Sequence, residues 1–368
     1  MVTRRGFNRS LLSLVSLAAV PSSGCSSDAD ASYADLVART WRHADAPWGA
    51  RRDVLRELVR YATLAANSHN SQPWRFDVAH DRITILPDYT RRCAAVDPDD
   101  HHLFASLGCA AENLTLAAAA MGLHATLSLP GPSEDAIRVD LAPAKPAETT
   151  LFRAITERQC TRAVYDGKPV PPGQLAELET AAREDGVSVQ VFTDRRQLEE
   201  ILEYVVAGNS AQMNDDAFVA ELKEWIRFNE AAAVEHRDGL FSASSGNPTV
   251  PGWLGGLVMK FAFTERGEND KYREQLRSSA GVIAFITEGN SRDGWIRAGR
   301  SYQRFALQAT ALGLRHAFVN QAVEVPEVRA QFADYLGLDG QRPDLLVRFG
   351  FGPLMPRSLR RPVEQVLV

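Results

Sequence analysis

Between residues 67 and 72 the chain crowds Asn67, Ser68, Asn70, Ser71 and Gln72 around His69, directly before the rigid pair Pro73-Trp74. Asn and Gln each carry a carbonyl and an NH₂, so such a loop can offer donors and acceptors to the edge of a heteroaromatic ring. The same residue types also suit an Asx-turn that stops a helix. His69 is placed either to donate a proton to a bound molecule or simply to be solvated. A second concentration of chemistry is Glu157-Arg158-Gln159-Cys160-Thr161-Arg162, followed far along the chain by the basic run 357–362 with Arg360 and Arg361. Two guanidiniums at this spacing can converge on one phosphate through charge-assisted hydrogen bonds, or form ordinary surface ion pairs. The pair His101-His102 lacks a spaced third ligand, and Cys25, Cys93, Cys109 and Cys160 form no CxxC, so neither a metal site nor a disulfide framework is expected.

These residues need elements to hold them. The polar loop follows a helix near 55–62 and leads into a strand. Short β-branched or alternating runs predict strands at 75–78, 82–86, 125–129, 187–192, 281–287 and 345–349. Residues 108–123 and 299–314 are Ala-rich helices that share six identities without a gap, Gly108 and Leu123 among them, 191 positions apart. Helices at 55–62 and 175–182 echo each other more weakly at an offset of 120. Small residues along such helices let a neighbouring helix approach closely. The unequal offsets place extra chain between residues 182 and 299 of the second half. The expected fold class is therefore α+β, built from two unequal halves: 32–130, a connector at 131–150, and 151–368. A lid-like segment is expected near 210–260, where residues 238–256 mix Gly, Ser and Pro with Phe241 and Trp253.

A net charge of −5 with dispersed basic residues argues against a nucleic-acid groove and for a small-molecule partner. At the start, Arg4-Arg5-Gly6-Phe7 precedes an uncharged run at 11–20, the pattern of a signal segment of the twin-arginine export type. Ser22-Ser23-Gly24-Cys25 then looks like a lipoprotein acylation box, making Cys25 a candidate lipid anchor. The expected location is the periplasm.

The string at 67–74 resembles the SxxNxQPW loop of the FMN-dependent nitroreductase superfamily, 158–162 resembles its R-x-S-x-R/K opening with Cys160 in the Ser position, and Arg348 to Pro362 is similar to its closing strand and basic tail. The resemblance implies a nitroreductase-like fold and an FMN cofactor. It implies that Arg158, Gln159, Cys160 and Arg162, helped by Arg360 or Arg361, hold the phosphate and ribityl side. Asn67, Ser68, Asn70 and Gln72 would face the ribityl chain and ring. Phe318, Asn320 and Gln321 stand where the family places a backbone N–H near flavin N5 and often has Pro-x-Glu-Gly, which alters the side-chain chemistry there.

In that superfamily a homodimer builds two identical sites. Here the first half keeps the NxQPW loop without the arginine segment, and the second half keeps the arginines without the loop. The pattern resembles Acg-like single-chain pseudo-dimers with one FMN, complete as a monomer. Two functions follow: a flavin oxidoreductase acting at N5 on a small electrophilic or oxidisable substrate, or a flavin-sequestering protein whose lid limits turnover. Export would also separate the protein from cytoplasmic nicotinamide cofactors.

Overall fold

The strands fall into two four-stranded antiparallel sheets with one shared order. In the first, β1 (Trp74–Val78), β2 (Arg82–Pro87), β3 (Leu123–Ser128) and β4 (Ile137–Pro143) lie in the order β1-β2-β4-β3. In the second, β5 (Val187–Phe192), β8 (Gly281–Thr287), β9 (Arg315–Phe318) and β10 (Arg342–Gly350) lie in the order β5-β8-β10-β9. First, second, fourth, third is thus the order in both. A two-residue parallel pair, β6 (Ile226–Arg227) with β7 (Leu240–Phe241), stands apart. This computed structural model describes residues 31–45, 49–131, 134–255 and 263–368. Residues 32–368 form one compact unit, and the twin-arginine segment and Cys25 lie outside the described residues.

Between the second and third strand of each sheet runs a 20-residue helix, α3 (His101–Ala120) in the first and α10 (Arg292–Ala311) in the second. Preceding them are α1 (Tyr33–Thr40), which Ser32 and Asp35 start with a reciprocal capping box, and α2 (Arg51–Thr63). α3 and α10 cross where neither has a side chain. A Cβ on Gly108 would stand 2.0 Å from the Ile296 carbonyl oxygen, and one on Gly299 1.9 Å from that of Ala105. Only glycine permits backbones this close. Polar contacts lock the crossing: Gln303 Nε2 donates to Asn113 Oδ1 at 2.8 Å, and Glu112 binds Arg300 and Arg304 at 3.1 and 2.8 Å. α3 is apolar enough to cross a bilayer by length and composition, yet most of it is buried inside the protein.

The sheets differ in how they are covered. Strands β1 and β4 alternate buried and exposed residues, as one covered face requires. Strands β8 and β10 are buried at every position. One face of the second sheet joins the main core with α10. The other packs Val282, Ala284 and Ile286 against Leu198, Ile201 and Val205 of α6 (Arg195–Met213) and Phe332 of α12 (Pro326–Tyr335).

Between β5 and β8 the chain inserts α6, α7 (Asp216–Trp225), α8 (Glu230–His236) and α9 (Glu265–Arg277). Further helices are α4 (Thr150–Ala154), α5 (Pro172–Ala181) and α11 (Gln321–Glu324). Strand β4 lies inside the 131–150 stretch read as a connector. Ile137, Val139 and Leu141 alternate inward there, a pattern masked in sequence by flanking Pro, Ala and charge. In the lid-like stretch Phe241 is buried and meets the Tyr33 ring at 5.2 Å, whereas Trp253 is 82% exposed.

Candidate active-site cleft

The polar loop begins where α2 ends and is held by bonds of its own. His69, Asn70 and Gln72 take left-handed φ values of 48°, 52° and 55°, a conformation that costs about 1–3 kcal/mol at each such residue and persists only when surroundings enforce it. Here they do. Asn67 Oδ1 accepts the Gln72 N–H at 2.8 Å. Asn70 donates to the carbonyls of Gly239 and Leu359 at 3.0 and 3.2 Å and accepts from Arg360 at 2.7 Å. Gln72 donates to the Arg237 carbonyl at 2.9 Å and accepts from the Arg361 N–H at 2.9 Å. The amides of Asn70 and Gln72 therefore join the loop to the inserted segment and to the chain's last residues. Neither lines the cleft.

What the loop presents to the cleft is Asn67, Ser68 and His69. The cleft encloses ≈1320 Å³, its open mouth included, between this loop, α3, the insertion and the 318–324 segment. Arg162, Phe318, Asn320 and Gln321 also line it. The Arg162 side chain is half-buried and makes no hydrogen bond or ion pair among the described residues. Gln321 Oε1, and Ser245 Oγ from a further lining residue, are buried with no partner among the described residues. Burial, with help from Arg162 and His102, pushes the His69 ring down to about 4, so at neutral pH it meets the cleft uncharged. Its Nδ1 lies 3.4 Å from Cys93 Sγ.

The other cationic residues converge behind the inner wall. Arg158 Nη2 donates to the Leu64 carbonyl at 2.8 Å, while its Nε has no partner among the described residues. Arg360 donates to the carbonyls of Thr63 and Ala65 at 2.7 and 3.1 Å. Both cap the end of α2, and neither lines the cleft. Burial and the like charges of Arg158 and Arg357 hold Arg360 well below the ordinary guanidinium range. Arg357 pairs with the exposed Glu157 at 3.2 Å. A buried group of cations with so little carboxylate is suited to an anion. Arg361 donates to the Gln72 carbonyl at 2.7 Å. Gln159 exchanges two hydrogen bonds with the Met355 backbone, at 3.0 and 2.8 Å, and Cys160 bridges to His316 through its backbone.

Two residues absent from the sequence reading of the cleft stand out, His102 and Glu324. His102 opens α3 and Glu324 closes α11, and both line the cleft. Sequence carries only a faint trace of Glu324, three residues beyond Gln321. Among the described residues, two groups bring atoms of ligand type within 4.8 Å of one another, His69 with Cys93 and Glu221, and Asp97 with His101 and His102. The Asp97 oxygens already accept the N–H groups of His102 and Leu103 at 3.0 and 2.9 Å, an N-terminal cap for α3.

With this geometry in view, comparison with known proteins decides the family. The description "Nitroreductase family" matches residues 155–351. The chain belongs to the nitroreductase family. The matched stretch carries Arg158, Arg162, the insertion, α10 and β10, which is the nitroreductase-like α+β half that supplies most of the cleft. A Mycobacterium tuberculosis protein provisionally named NAD(P)H nitroreductase Rv3131 is 26% identical over 326 residues, 86% of this chain and 91% of its own. A second from that organism, provisionally named NAD(P)H nitroreductase acg, is 25% identical over 325 residues, 85% of this chain and 95% of its own. Among solved structures, a nitroreductase with bound FMN from Bacteroides fragilis overlaps 58% of this chain and 95% of its own at 17% identity and TM-score 0.36. The FMN-dependent nitroreductase NfnB from Mycobacterium smegmatis, in complex with NADPH, overlaps 59% and 91% at 13% identity and TM-score 0.37. Membership of the nitroreductase family rests on the matched segment rather than on these partial overlaps.

Proposed function

We propose that this chain binds one FMN in the cleft and is a flavin-dependent oxidoreductase acting on a small electrophilic or oxidisable substrate. The observation that carries the reading is Arg162, a cleft-lining guanidinium with no side-chain partner among the described residues. A guanidinium at the cleft surface with its donors uncommitted can take a ring carbonyl or a developing negative charge as acceptor. Asn67, Ser68, Asn320 and Gln321 would surround the ring, with Ser245 Oγ and Gln321 Oε1 gaining partners. Arg158 and the cations behind the wall would lend the cleft a positive field for the phosphate without lining it. When bound, FMN supplies two-electron transfer at N5; the protein supplies position, exclusion of water and hydrogen bonds. The shared strand order and the glycine crossing support reading the chain as a fused pseudo-dimer with one site. We also propose twin-arginine export to the periplasm, with Cys25 as a possible acylation site, because that route moves folded proteins with their cofactor in place.

The deciding experiment is flavin content. The purified mature chain should be yellow with one FMN per polypeptide, and Arg162→Ala should weaken FMN binding about 10- to 100-fold, the range of a hydrogen bond to a charged group. A colourless protein that does not take up FMN would overturn the cofactor reading. Rapid mixing with dithionite or NADPH and then with nitroaromatic or quinone acceptors should show reoxidation. Bound flavin that accepts electrons but passes none on would instead favour sequestration.

A further inference from the structure

A second cavity of ≈600 Å³, also open at its mouth, abuts the cleft and is lined by Asp97, Asp99, His101, Arg329 and Arg342. Two ionisable residues, His102 and Glu324, line both cavities. We propose that His102 and Glu324 form a proton relay that carries protons from the second cavity into the cleft, an inference that rests on the cleft being the flavin site.

The hydrogen bonds around the pair assign its protons. Asn320 Oδ1 accepts the Leu346 N–H at 2.9 Å, which turns the Asn320 amide nitrogen toward His102 Nε2 at 3.4 Å. An NH₂ facing Nε2 makes that nitrogen an acceptor and leaves the neutral ring's proton on Nδ1. Nδ1 lies 3.6 Å from Glu324 Oε1, beyond a hydrogen bond but within reach of one by side-chain rotation. The other carboxylate oxygen, Oε2, accepts from Gln212 Nε2 at 2.6 Å. One oxygen of Glu324 is thus fixed and the other is free to exchange a proton.

The surrounding charges favour a mobile proton over a fixed ion pair. Burial raises the Glu324 carboxyl, with Asp97 adding to the rise, while His102 and Arg162 oppose it. Burial lowers His102, assisted by Arg342 and opposed by Glu324, Asp99 and Asp344. His101 and His69 face the same group and are themselves pushed down by burial; Arg329 stands across the second cavity. Burial thus disfavours the charged form of both groups, so the pair is held as a neutral carboxyl and a neutral ring rather than as a fixed ion pair.

Two-electron reduction of an electrophilic acceptor consumes one hydride and one proton. The hydride comes from the reduced flavin, itself reduced by an external two-electron donor such as dithionite. The proton leaves the Glu324 carboxyl as its O–H bond breaks and a new O–H or N–H bond forms on the acceptor. Glu324 is then reprotonated through His102. A proton from water in the second cavity enters at Nε2 as the Asn320 amide gives way, and the ring, charged only in passing, gives its Nδ1 proton to Glu324 Oε1. A turn of the ring returns the remaining N–H to the Glu324 side, while the hydroxide left by the water is neutralised by solvent.

Proton uptake can be read directly. The flavin-loaded protein, in weak buffer with a pH indicator dye, is first reduced with a single equivalent of dithionite until its absorbance is constant. It is then mixed with a quinone acceptor, and the proton uptake of that second step alone is followed beside flavin reoxidation. Glu324→Gln and His102→Gln should each slow uptake at least tenfold with flavin content unchanged, and Glu324→Asp should recover part of the rate. Uptake at the wild-type rate in Glu324→Gln would overturn the relay. A second readout needs no flavin: ¹⁵N-histidine NMR of the full apoprotein should show the His102 ring titrating at lower pH in Glu324→Gln than in wild type, because the carboxylate that supports its charge is gone. An unmoved titration would refute the pairing. If the purified wild type lacks flavin and takes up none, the cofactor reading fails, while the NMR result still judges the pair.

Discussion

The sheet of β1 to β4 and the sheet of β5, β8, β9 and β10 share strand order and a helix at the same point of the connection, yet only the second is buried on both faces. The first alternates along its strands, with one face in the core. The second carries the insertion between its first two strands, and α6 covers the face that its counterpart leaves open. That cover also shapes the cleft, since Asn209 and Gln212 of α6 line it. The same architecture therefore supplies a supporting half that contributes one loop and a face of α3, and an elaborated half that contributes most of the other walls.

If the glycine crossing is what joins the halves, breaking it should be the largest effect available. Gly299→Leu puts a Cβ where the Ala105 carbonyl oxygen stands 1.9 Å away, so α3 and α10 must separate. The expected loss is on the order of 5 kcal/mol, or failure to fold, measured by urea unfolding and soluble yield. Near wild-type stability would show that the halves are held elsewhere. Glu112→Ala is the next test. It removes the carboxylate that Arg300 and Arg304 share, leaving Glu184, at 2.7 and 2.5 Å, to serve both. Breaking a buried ion network by one partner should cost about 3 kcal/mol, and Glu112→Gln should recover part of it by urea unfolding.

Each half also holds a histidine that burial shifts, the half-buried His69 in the polar loop and the fully buried His316 on β9. Burial depresses the first to about 4 and the second to about 3, from an ordinary 6.5. Because the unfolded chain takes the proton first, the stability each contributes is full above about pH 6.5. It falls with pH until the folded ring is protonated, near 4 for His69 and near 3 for His316. Asp97 and Asp344, raised by burial to about 6, work in the opposite sense and lose their contribution as pH rises through 6. Urea unfolding from pH 7 to 3 should therefore show His316→Gln with an acid limb shallower by up to about 1.4 kcal/mol per pH unit. An unchanged slope would mean that His316 is protonated in the fold.

Much of this was legible in the sequence, for reasons that differ from residue to residue. The bounds 187–192 and 281–287 match β5 and β8, because β-branched runs between turn residues leave few alternatives. The α+β class and the nitroreductase-like fold were carried by NxQPW and the arginine segment. Strand β9, Arg315-His316-Ala317-Phe318, has no strand signature of its own and exists because β10 pairs with it. The amides of Asn70 and Gln72 were expected to face a ligand. Sequence shows that an amide is present but not whether main chain reaches it first, and here the carbonyls of Gly239, Leu359 and Arg237 do. His102 was weighed only as half of a possible metal pair, and its partnership with Glu324 went unread because 222 positions separate the two and no motif links an α3 start to an α11 end.

The smallest expected effect separates the two aromatics of the insertion. Phe241 is buried against Tyr33, whereas Trp253 is 82% exposed. An exposed ring removes little apolar surface from water, so Trp253→Ser should change unfolding free energy by less than about 0.5 kcal/mol. Tryptophan emission should meanwhile lose a component with the red-shifted maximum of a solvated indole. The insertion's hold on the polar loop should not depend on that ring, because it runs through Gly239, whose N–H donates to the Asn70 carbonyl at 3.1 Å and whose carbonyl accepts from Asn70 Nδ2. A loss above about 1 kcal/mol, or a missing component that is blue-shifted, would show that Trp253 is covered in solution and that the insertion closes further over the cleft than its contacts here imply.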